Sequence, residues 1–285
     1  MSIVTSAVLR DPDPKNWSRH HYGLSRERWQ CLRNRSYWIT GAGTGFGRAL
    51  SVALASADAQ VFLSGRRREK LCESIDEIRA FGIEVVRCHV LPFDLTDSSQ
   101  LIDAGTYVQR CCSSLQGLVN SAAIPQELTS PWPLQEGARD SWDRIFKINL
   151  TAPWELSKLV LPQMVKSAEV KILFITSAAA WGFAAGVGQY NVTKAALNSL
   201  GMSMAEECAV RYPAVDVQIN IIDPGEARTE MNPGSRASPY SLVSMVLLLL
   251  SHPKGGPNGK FFHRDGRHLQ FGFSQPYEKP LNNGK

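Results

Sequence analysis

From about residue 36 onward, short apolar runs alternate with longer stretches in which apolar side chains recur every three or four positions. The short runs predict buried strands and the longer stretches predict amphipathic helices. The predicted strands cover residues 37–40, 61–64, 85–90, 117–120, 171–176, 217–222 and 260–263. The predicted helices lie between them, at about 46–57, 67–81, 98–112, 139–167, 189–211 and 238–251. Such alternation indicates a parallel sheet, because parallel strands need a crossover connection that is usually a helix.

This pattern places the chain in the α/β class. We expect a Rossmann-like, doubly wound parallel sheet of about seven strands in the order 3-2-1-4-5-6-7, with helices on both faces. A chain of 285 residues that is 44% hydrophobic is long enough to bury one such core. We therefore predict a single domain over residues 36–273, an extension over 1–35, and a C-terminal tail over 274–285 that is rich in Pro, Asn and Gly.

Composition narrows the possible functions. The longest apolar run, at residues 245–250, is far too short to span a bilayer, and the N-terminus lacks the basic start and apolar stretch of a secretory signal. The six cysteines form no Cys-x-x-Cys pair and no metal-like group with histidine. These features favour a cytoplasmic protein without a transmembrane segment, and they argue against a metal site.

The net charge of +5 is concentrated in the N-terminal extension. Residues 1–35 hold seven basic and three acidic side chains, interleaved with Trp17, Tyr22 and Trp29. This pattern is compatible with an anionic partner such as a glycan, a lipid head group or a nucleic acid. The alternative, which we favour, is a strap whose tryptophans pack on the outside of the domain while its arginines stay solvated. On that interpretation no nucleic-acid partner is expected.

A glycine-rich turn follows the first predicted strand and opens the first long helix. Residues 40–47 read Thr-Gly-Ala-Gly-Thr-Gly-Phe-Gly. Glycines let the backbone approach a pyrophosphate, and the helix start offers free N–H groups and a positive dipole end. The position between a strand and a helix therefore predicts a dinucleotide site. Its residues are Gly41, Gly43, Thr44, Gly45, Phe46 and Gly47.

A second pattern points to proton-transfer chemistry. Ser177 ends a predicted strand, Tyr190 follows thirteen residues later, and Lys194 comes four residues after that. The i, i+4 spacing puts Tyr190 and Lys194 on one face of a helix. Because a Tyr-x-x-x-Lys arises readily by chance, its weight comes from the glycine-rich turn in the same chain.

These motifs and several others, in the same order, resemble the single-domain branch of the short-chain dehydrogenase/reductase family over roughly residues 36–270. The resemblance rests on the spacing Gly41-x-x-x-Gly45-x-Gly47, on Asp94-Leu95, Asn120-Ser-Ala-Ala123 and Asn149, on Ser177, Tyr190 and Lys194, and on the segment 224–229. It implies a catalytic set of Asn149, Ser177, Tyr190 and Lys194. It also implies cofactor contacts from Asp94, Leu95, Asn120, Ala122, Tyr190, Lys194, Pro224, Gly225 and Thr229.

The end of the second strand bears on which nicotinamide cofactor is used. Enzymes specific for NAD usually offer a carboxylate there to bind the ribose diol. This chain has Ser-Gly-Arg-Arg-Arg at 64–68, so Arg66 and Arg67 can hold a 2′-phosphate instead. The alternative is that Arg67 and Arg68 are solvent-exposed residues at the start of the next helix and do not bind the cofactor. We accept this alternative for Arg68. We expect NADP(H) as the preferred cofactor, with NAD(H) as a possible second.

The resemblance implies an NADP-dependent oxidoreductase that transfers a hydride between the nicotinamide and a carbonyl or secondary alcohol. Tyr190 would act as general acid or base, and Lys194 would stabilise its phenolate and hold the ribose hydroxyls. Ser177 would position the substrate oxygen, and Asn149 would anchor a water that links Lys194 to solvent. Thr229 would contact the carboxamide or, alternatively, cap a turn.

Three departures from the family pattern bear on affinity and substrate. Ala123 replaces a glycine, and Asp223 stands where a small or amide residue is more usual. Only residues 230–237 separate Thr229 from the next helix, where relatives often carry a longer lid. A short lid predicts an open cleft for a bulky or carrier-presented small-molecule or conjugate substrate, unless a partner subunit or the extension covers it. Candidate apolar walls are Trp132, Trp181 and Phe183.

Two other functions stay open. A non-enzymatic NADP(H)-binding redox sensor or scaffold would bind the cofactor without turnover, although such proteins commonly lose the tyrosine or the lysine. A nucleotide-sugar epimerase or dehydratase also uses Tyr-x-x-x-Lys, but the glycine spacing and the short C-terminal part argue against it. The resemblance further implies a homodimer or homotetramer formed through the helices near 139–167 and 189–211.

Overall fold

The computed structural model describes residues 12–126, 131–183 and 185–269. Over these residues the backbone forms one sheet of eight strands in the order β3-β2-β1-β4-β5-β6-β7-β8. The strands are β1 (Ser36–Thr40), β2 (Gln60–Gly65), β3 (Cys88–Pro92), β4 (Gly117–Asn120), β5 (Glu169–Ile175), β6 (Asp216–Asp223), β7 (Lys260–His263) and β8 (His268–Leu269). The first seven are parallel, which confirms the predicted sheet, and β8 pairs antiparallel with β7.

Helices cover both faces of this sheet. Within the described ranges they are α1 (Trp17–His20), α2 (Arg26–Gln30), α3 (Gly45–Ser56), α4 (Arg68–Ala80), α5 (Ser98–Cys111), α6 (Pro133–Glu136), α7 (Arg139–Phe146), α8 (Ala152–Lys166), α9 (Gly188–Arg211) and α10 (Val243–Leu250). Helices α3, α4 and α10 pack on one face, and α5, α8 and α9 pack on the other. None of the described helices has both the length and the apolar character needed to cross a membrane.

The central strands are apolar because both of their faces are covered. Every residue of β1 and of β4 is buried, as expected for parallel strands between two helical layers. Successive side chains point to opposite faces. Accordingly, Ile39 and Val119 join the core under α3 and α10, whereas Trp38 and Leu118 join the core under α5, α8 and α9.

The helix predicted over 139–167 is interrupted by a change of winding. Between α7 and α8 the chain forms a π-helical segment over Lys147–Thr151. A π-helical turn inserts one extra residue and frequently marks a functional position. Asn149 lies in this segment, and its side chain is fully buried.

Three local differences separate the structure from the predicted elements. The third strand begins at Cys88 rather than at residue 85, because a turn closed by a 2.9 Å hydrogen bond from Cys88 N to Val85 O precedes it. The helix predicted from residue 238 starts with a 3-10 turn at Pro239–Leu242. The hairpin strand β8 was not predicted. The predicted tail over 274–285, like residues 1–11 and 270–273, lies outside the described residues.

The N-terminal segment is more deeply buried than the favoured strap interpretation predicts. Tyr22 and Leu32 are fully buried and Trp29 is 9% exposed, and all three belong to the core under α3 and α10. Arg28 is not simply solvated, since its Nη1 donates a 2.9 Å hydrogen bond to Leu248 O at the end of α10. Residues 12–35 therefore cover an otherwise open apolar side of the α3–α10 layer. An anionic partner for this segment, and a domain boundary at residue 36, stay predictions.

Because Leu32 is packed in the main core, we expect Leu32→Ala to lower the free energy of unfolding by about 2–5 kcal/mol. The exposed Val86, 83% accessible, offers a matched control, and Val86→Ala should change stability by less than about 0.5 kcal/mol. Urea denaturation followed by circular dichroism measures both variants. Equal stability of the two variants would show that the N-terminal segment does not belong to the folded unit.

Candidate functional site

A cleft of about 950 Å³ lies beyond the carboxyl ends of the parallel strands. In doubly wound sheets this edge, where the strand order reverses, is the usual place for ligands. Most of the predicted site residues line this one cleft. They are Gly41, Gly43, Thr44, Gly45, Phe46, Gly47, Arg66, Arg67, Asp94, Leu95, Ala122, Ser177, Tyr190, Lys194, Pro224, Gly225 and Thr229.

The glycine-rich turn between β1 and α3 has a conformation that side chains would prevent. Gly41 has φ +68°, and a Cβ built there would approach Ala122 Cα to 2.8 Å. A Cβ at Gly47 would collide with the carbonyl oxygen of Gly41. The turn is therefore a backbone surface that leaves room for a ligand to approach the N–H groups at the start of α3.

Two polar side chains connect this turn to the loop after β4 and to α4 by hydrogen bonds. Thr40 Oγ1 accepts hydrogen bonds from Ser121 N at 3.0 Å and from Ala122 N at 3.1 Å, which joins the turn to the loop after β4. Arg48 Nε donates to Gly43 O at 3.0 Å, and Arg48 Nη2 lies 2.8 Å from a carboxylate oxygen of Glu73. The sequence analysis assigned no role to Arg48. Its place one residue after Gly47 is the only sequence signal for it.

At the other end of the cleft the structure brings Ser177, Tyr190 and Lys194 together. Ser177 follows β5, and its side chain lies close enough to the Tyr190 phenol to oppose the rise in the phenol's pKa. Lys194 Nζ lies 5.6 Å from the centre of the Tyr190 ring and donates a 3.0 Å hydrogen bond to Ile175 O. The arrangement is that of a hydroxyl pair backed by a buried ammonium group.

Burial sets the protonation of both groups. It raises the pKa of Tyr190 to about 12; the Ser177 side chain opposes this increase and the negative charge of Asp223 adds to it. Burial also lowers the pKa of Lys194 to about 8. At neutral pH the phenol is therefore protonated, and most of the lysine keeps its positive charge.

Asn149 and Asn120 lie close to the cleft without lining it. Asn149 Oδ1 accepts from Ile124 N at 2.9 Å, and its Nδ2 donates to Ile124 O at 3.0 Å and to Thr193 Oγ1 at 3.2 Å. It thereby links the loop after β4 to the residue before Lys194. Asn120 Nδ2 instead donates to Ser157 Oγ at 3.2 Å, on α8 behind the sheet. Their catalytic and cofactor-binding roles stay predictions.

The two arginines after β2 differ in their contacts. Arg66 and Arg67 are exposed and line the cleft, whereas Arg68 begins α4 and faces a separate hollow, in line with its assignment to solvent. Arg67 Nη2 forms an ion pair with Glu230 across the cleft. Asp94 also lines the cleft, and its carboxylate accepts a 2.8 Å hydrogen bond from Thr96 N. Glu230 was not identified from the sequence, although it directly follows Thr229.

The short segment after Thr229 forms a compact loop rather than a helix. Arg228 N donates to Ala237 O at 2.8 Å, and Asn232 N donates to Thr229 Oγ1 at 3.2 Å. The latter bond is the turn-capping role that the sequence left open for Thr229. The Thr229 side chain also packs on Gly45, where an added Cβ would lie 2.9 Å from Thr229 Cγ2. The loop thus crosses the cleft beside the glycine-rich turn.

Several cleft residues were missed by sequence reasoning, and one candidate wall is present. His263 at the end of β7, Leu269 in β8 and Arg267 in the turn between these strands line the cleft. His263 could have been found from its place at the carboxyl end of a predicted strand, but Arg267 depends on the unpredicted hairpin. Trp181 lines the cleft, whereas Trp132 and Phe183 are not among the described residues that line it.

This arrangement is chemically suited to a bound dinucleotide and a substrate oxygen. The bare turn and the start of α3 offer N–H groups for a pyrophosphate, and the arginines after β2 offer positive charge at one end. A protonated phenol and a buried ammonium group lie at the other end. The groups suited to holding a dinucleotide and the groups suited to proton transfer therefore line a single continuous cleft.

Comparison with known proteins gives the same picture. The family model described as short chain dehydrogenase matches residues 36–239. Gluconate 5-dehydrogenase from Gluconobacter oxydans is 30% identical over 68% of this chain and 71% of its own. The 3-oxoacyl-[acyl-carrier-protein] reductase FabG from Aquifex aeolicus is 28% identical over 82% of this chain and 97% of its own.

A solved structure extends the comparison to three dimensions. A metagenomic short-chain oxidoreductase, crystallised in complex with NADP, has a TM-score of 0.69 at 28% identity, over 79% of this chain and 95% of its own. Fold, cleft and sequence thus agree with one another over most of the chain. The protein belongs to the short-chain dehydrogenase/reductase family of oxidoreductases.

Proposed function

We propose that this protein is an NADP(H)-dependent oxidoreductase that interconverts a carbonyl and a secondary alcohol, with Tyr190 as the acid or base. The observation that carries the proposal is that Ser177 and Tyr190, with Lys194 Nζ 5.6 Å from the centre of the phenol ring, line the same cleft as the glycine-rich turn. The metagenomic relative was crystallised in complex with NADP. NADP binding by the present protein is part of the proposal.

The residues of the cleft fit this cofactor. The bare backbone at Gly41 and Gly47 accommodates a pyrophosphate, and Arg66 and Arg67 supply guanidinium groups where a 2′-phosphate would lie. NADPH, when bound, supplies the hydride, and the protein supplies position and protons. NAD(H) stays a second candidate cofactor, although β2 ends without the carboxylate that would select it.

In the direction of reduction, the Tyr190 hydroxyl donates its proton to the substrate oxygen. Ser177 holds that oxygen by a hydrogen bond, so that proton transfer needs little reorganisation. The phenolate that forms is stabilised by the ammonium charge of Lys194. Asn149 keeps the loop after β4 attached to Thr193, and through it fixes the turn of α9 that carries Lys194.

The relatives and the shape of the cleft bear on the class of substrate. The names of the two curated relatives refer to a sugar acid and to an acyl group on a carrier protein. The cleft of about 950 Å³ has no helical lid among the described residues, which supports a bulky or carrier-presented substrate. Exposed Trp154 and Val192 on α8 and α9 support the proposal of a homodimer or homotetramer.

Replacement of Tyr190 by Phe tests the reaction itself. We expect Tyr190→Phe to reduce kcat/KM for carbonyl reduction by about 10²–10⁴-fold, because the general acid is lost, while NADPH binding persists. NADPH oxidation with a panel of carbonyl compounds measures turnover, and fluorescence titration measures binding. Tyr107→Phe, on α5 and outside the cleft, is the matched control. A wild-type protein that binds NADPH but reduces no carbonyl would instead favour the sensor or scaffold.

The pH dependence of reduction should follow Lys194. Its pKa, lowered to about 8 by burial, leaves the ammonium form below that pH and the neutral amine above it. The phenol stays protonated throughout, because burial raises the pKa of Tyr190 to about 12. We therefore expect kcat/KM for reduction to be level below about pH 8 and to fall about tenfold per pH unit above it. A rate that rises up to about pH 10 in protein that remains folded would contradict this role.

The ion pair between Arg67 and Glu230 should compete with the 2′-phosphate. Removing the carboxylate in Glu230→Gln frees the guanidinium, so we expect the Kd for NADPH to fall about two- to fivefold, with NADH unchanged. Arg67→Met should weaken NADPH and leave NADH unchanged. Titration of both cofactors measures this, with Glu84→Gln on a remote surface as the charge control. Equal effects on NADH and NADPH would show that Arg67 does not contact the 2′-phosphate.

A further inference from the structure

Three polar side chains extend from Tyr190 across the last three strands of the sheet. Asp223 at the end of β6 and His263 at the end of β7 are register partners. His263 N donates a 2.8 Å hydrogen bond to Arg267 O, which places Arg267 directly across the hairpin. Asp223, His263 and Arg267 all line the cleft. We call them the polar row.

The side chains of the polar row lie on the sheet face that carries α9. Ile221 and Phe261, two residues before Asp223 and His263, belong to the core under α9. Leu269, two residues after Arg267, packs against the same core. Because side chains two positions apart share a face, the row points toward the helix that carries Tyr190. Consistent with this, the charge of Asp223 contributes to the raised pKa of Tyr190, whose largest cause is burial.

The outer end of the row offers donors to an anion. Asp265 holds the Arg267 guanidinium through Nε, at 3.0 and 2.8 Å, and through Nη2, at 2.8 Å. Among the described residues Nη1 has no hydrogen-bond partner, and the side chain is 70% exposed. His263 Nδ1 lies 2.9 Å from Asp265, while its Nε2 faces the Gly225 backbone beside the cleft. The carboxylate of Asp265 therefore orients both the Arg267 guanidinium and the His263 imidazole, and it leaves Nη1 of the guanidinium available.

Asp223, at the end of the polar row nearest Tyr190, disfavours anions. Asp223 is 2% exposed, and one of its carboxylate oxygens accepts a 2.9 Å hydrogen bond from Gly225 N. A carboxylate accepts hydrogen bonds and repels anions. Next to Tyr190 it therefore favours substrate hydroxyl groups and excludes a substrate carboxylate. In a neighbouring arginine, Arg264, Nη1 donates to Pro224 O, Glu226 O and Ser241 Oγ and not to the Asp223 carboxylate.

We propose that the polar row is a substrate subsite for a hydroxylated carbonyl compound with an anionic end, held by its hydroxyl groups at Asp223 and by its anion at Arg267 and His263. The strands β6 and β8 are two spacings, or about 10 Å, apart. The carbonyl carbon and the anion are therefore separated by a chain of several carbon atoms. This inference rests on the proposed oxidoreductase function and adds the chemical class and the orientation of its substrate.

Matched pairs of acidic and neutral ketones test the subsite. We expect the wild-type protein with NADPH to reduce 5-ketogluconate with a higher kcat/KM than neutral L-sorbose, and 7-oxooctanoate with a higher kcat/KM than methyl 7-oxooctanoate. Arg267→Met should lower kcat/KM for the acids about 10- to 100-fold, mainly through KM, and leave the neutral members within about twofold. Arg267→Lys should restore part of the loss, because the charge remains but the fork is lost.

The control variant is Arg79→Met, which removes an exposed arginine that is paired with Asp76 at 3.1 Å but lies outside the cleft. It should leave both members of each pair unchanged. A wild-type preference for the neutral members, or an equal effect of Arg267→Met on both, overturns the subsite while the oxidoreductase function stands. Absence of any NADPH-dependent turnover in the whole panel counts against the proposed function itself.

Discussion

Seven parallel strands end at one edge of the sheet, and their following loops meet where the chain leaves β1 and β4 toward opposite helical layers. The glycine-rich turn, Ser177 and the segment from Pro224 come from three different strands, far apart in sequence, yet they line one cleft. Hydrogen bonds that stabilise the sheet thereby also fix the distances within the site. Thr40 makes this link explicit, since its hydroxyl joins the end of β1 to the loop after β4.

The site contains buried polar side chains, whose loss of hydration must be compensated by hydrogen bonds within the protein. Lys194 is only 2% exposed and has its ammonium group on Ile175 O, so the sheet edge replaces part of its hydration. Asn149 is likewise satisfied by backbone groups of Ile124 and by Thr193. Because both residues are held by backbone atoms of the scaffold, their positions depend on the fold and not on a flexible surface. The end of the cleft that contains Tyr190 and Lys194 is therefore preorganised before a ligand binds.

The sequence predicted what short-range patterns determine. The parallel strands, the glycine-rich turn and the Tyr190–Lys194 spacing each depend on local periodicity or on a motif, and the cleft contains nearly all the residues inferred from them. Contacts between segments that are distant in the sequence could not be predicted from it. The burial of Tyr22 requires a surface made by α3 and α10, and the Arg67–Glu230 pair joins residues that the fold brings together across the cleft. The hairpin that presents Arg267 has too short a second strand to give a periodic signal.

The electrostatics of the cleft also favour the protonated form of Tyr190. A protonated phenol is the reagent for carbonyl reduction, whereas alcohol oxidation needs the phenolate as base. Burial and the nearby Asp223 both raise the pKa of Tyr190. A small or amide residue at position 223 would remove that negative charge and make the phenolate easier to form. The buried carboxylate beside Tyr190 therefore helps to keep the phenol protonated, which is the form that the proposed carbonyl reduction requires.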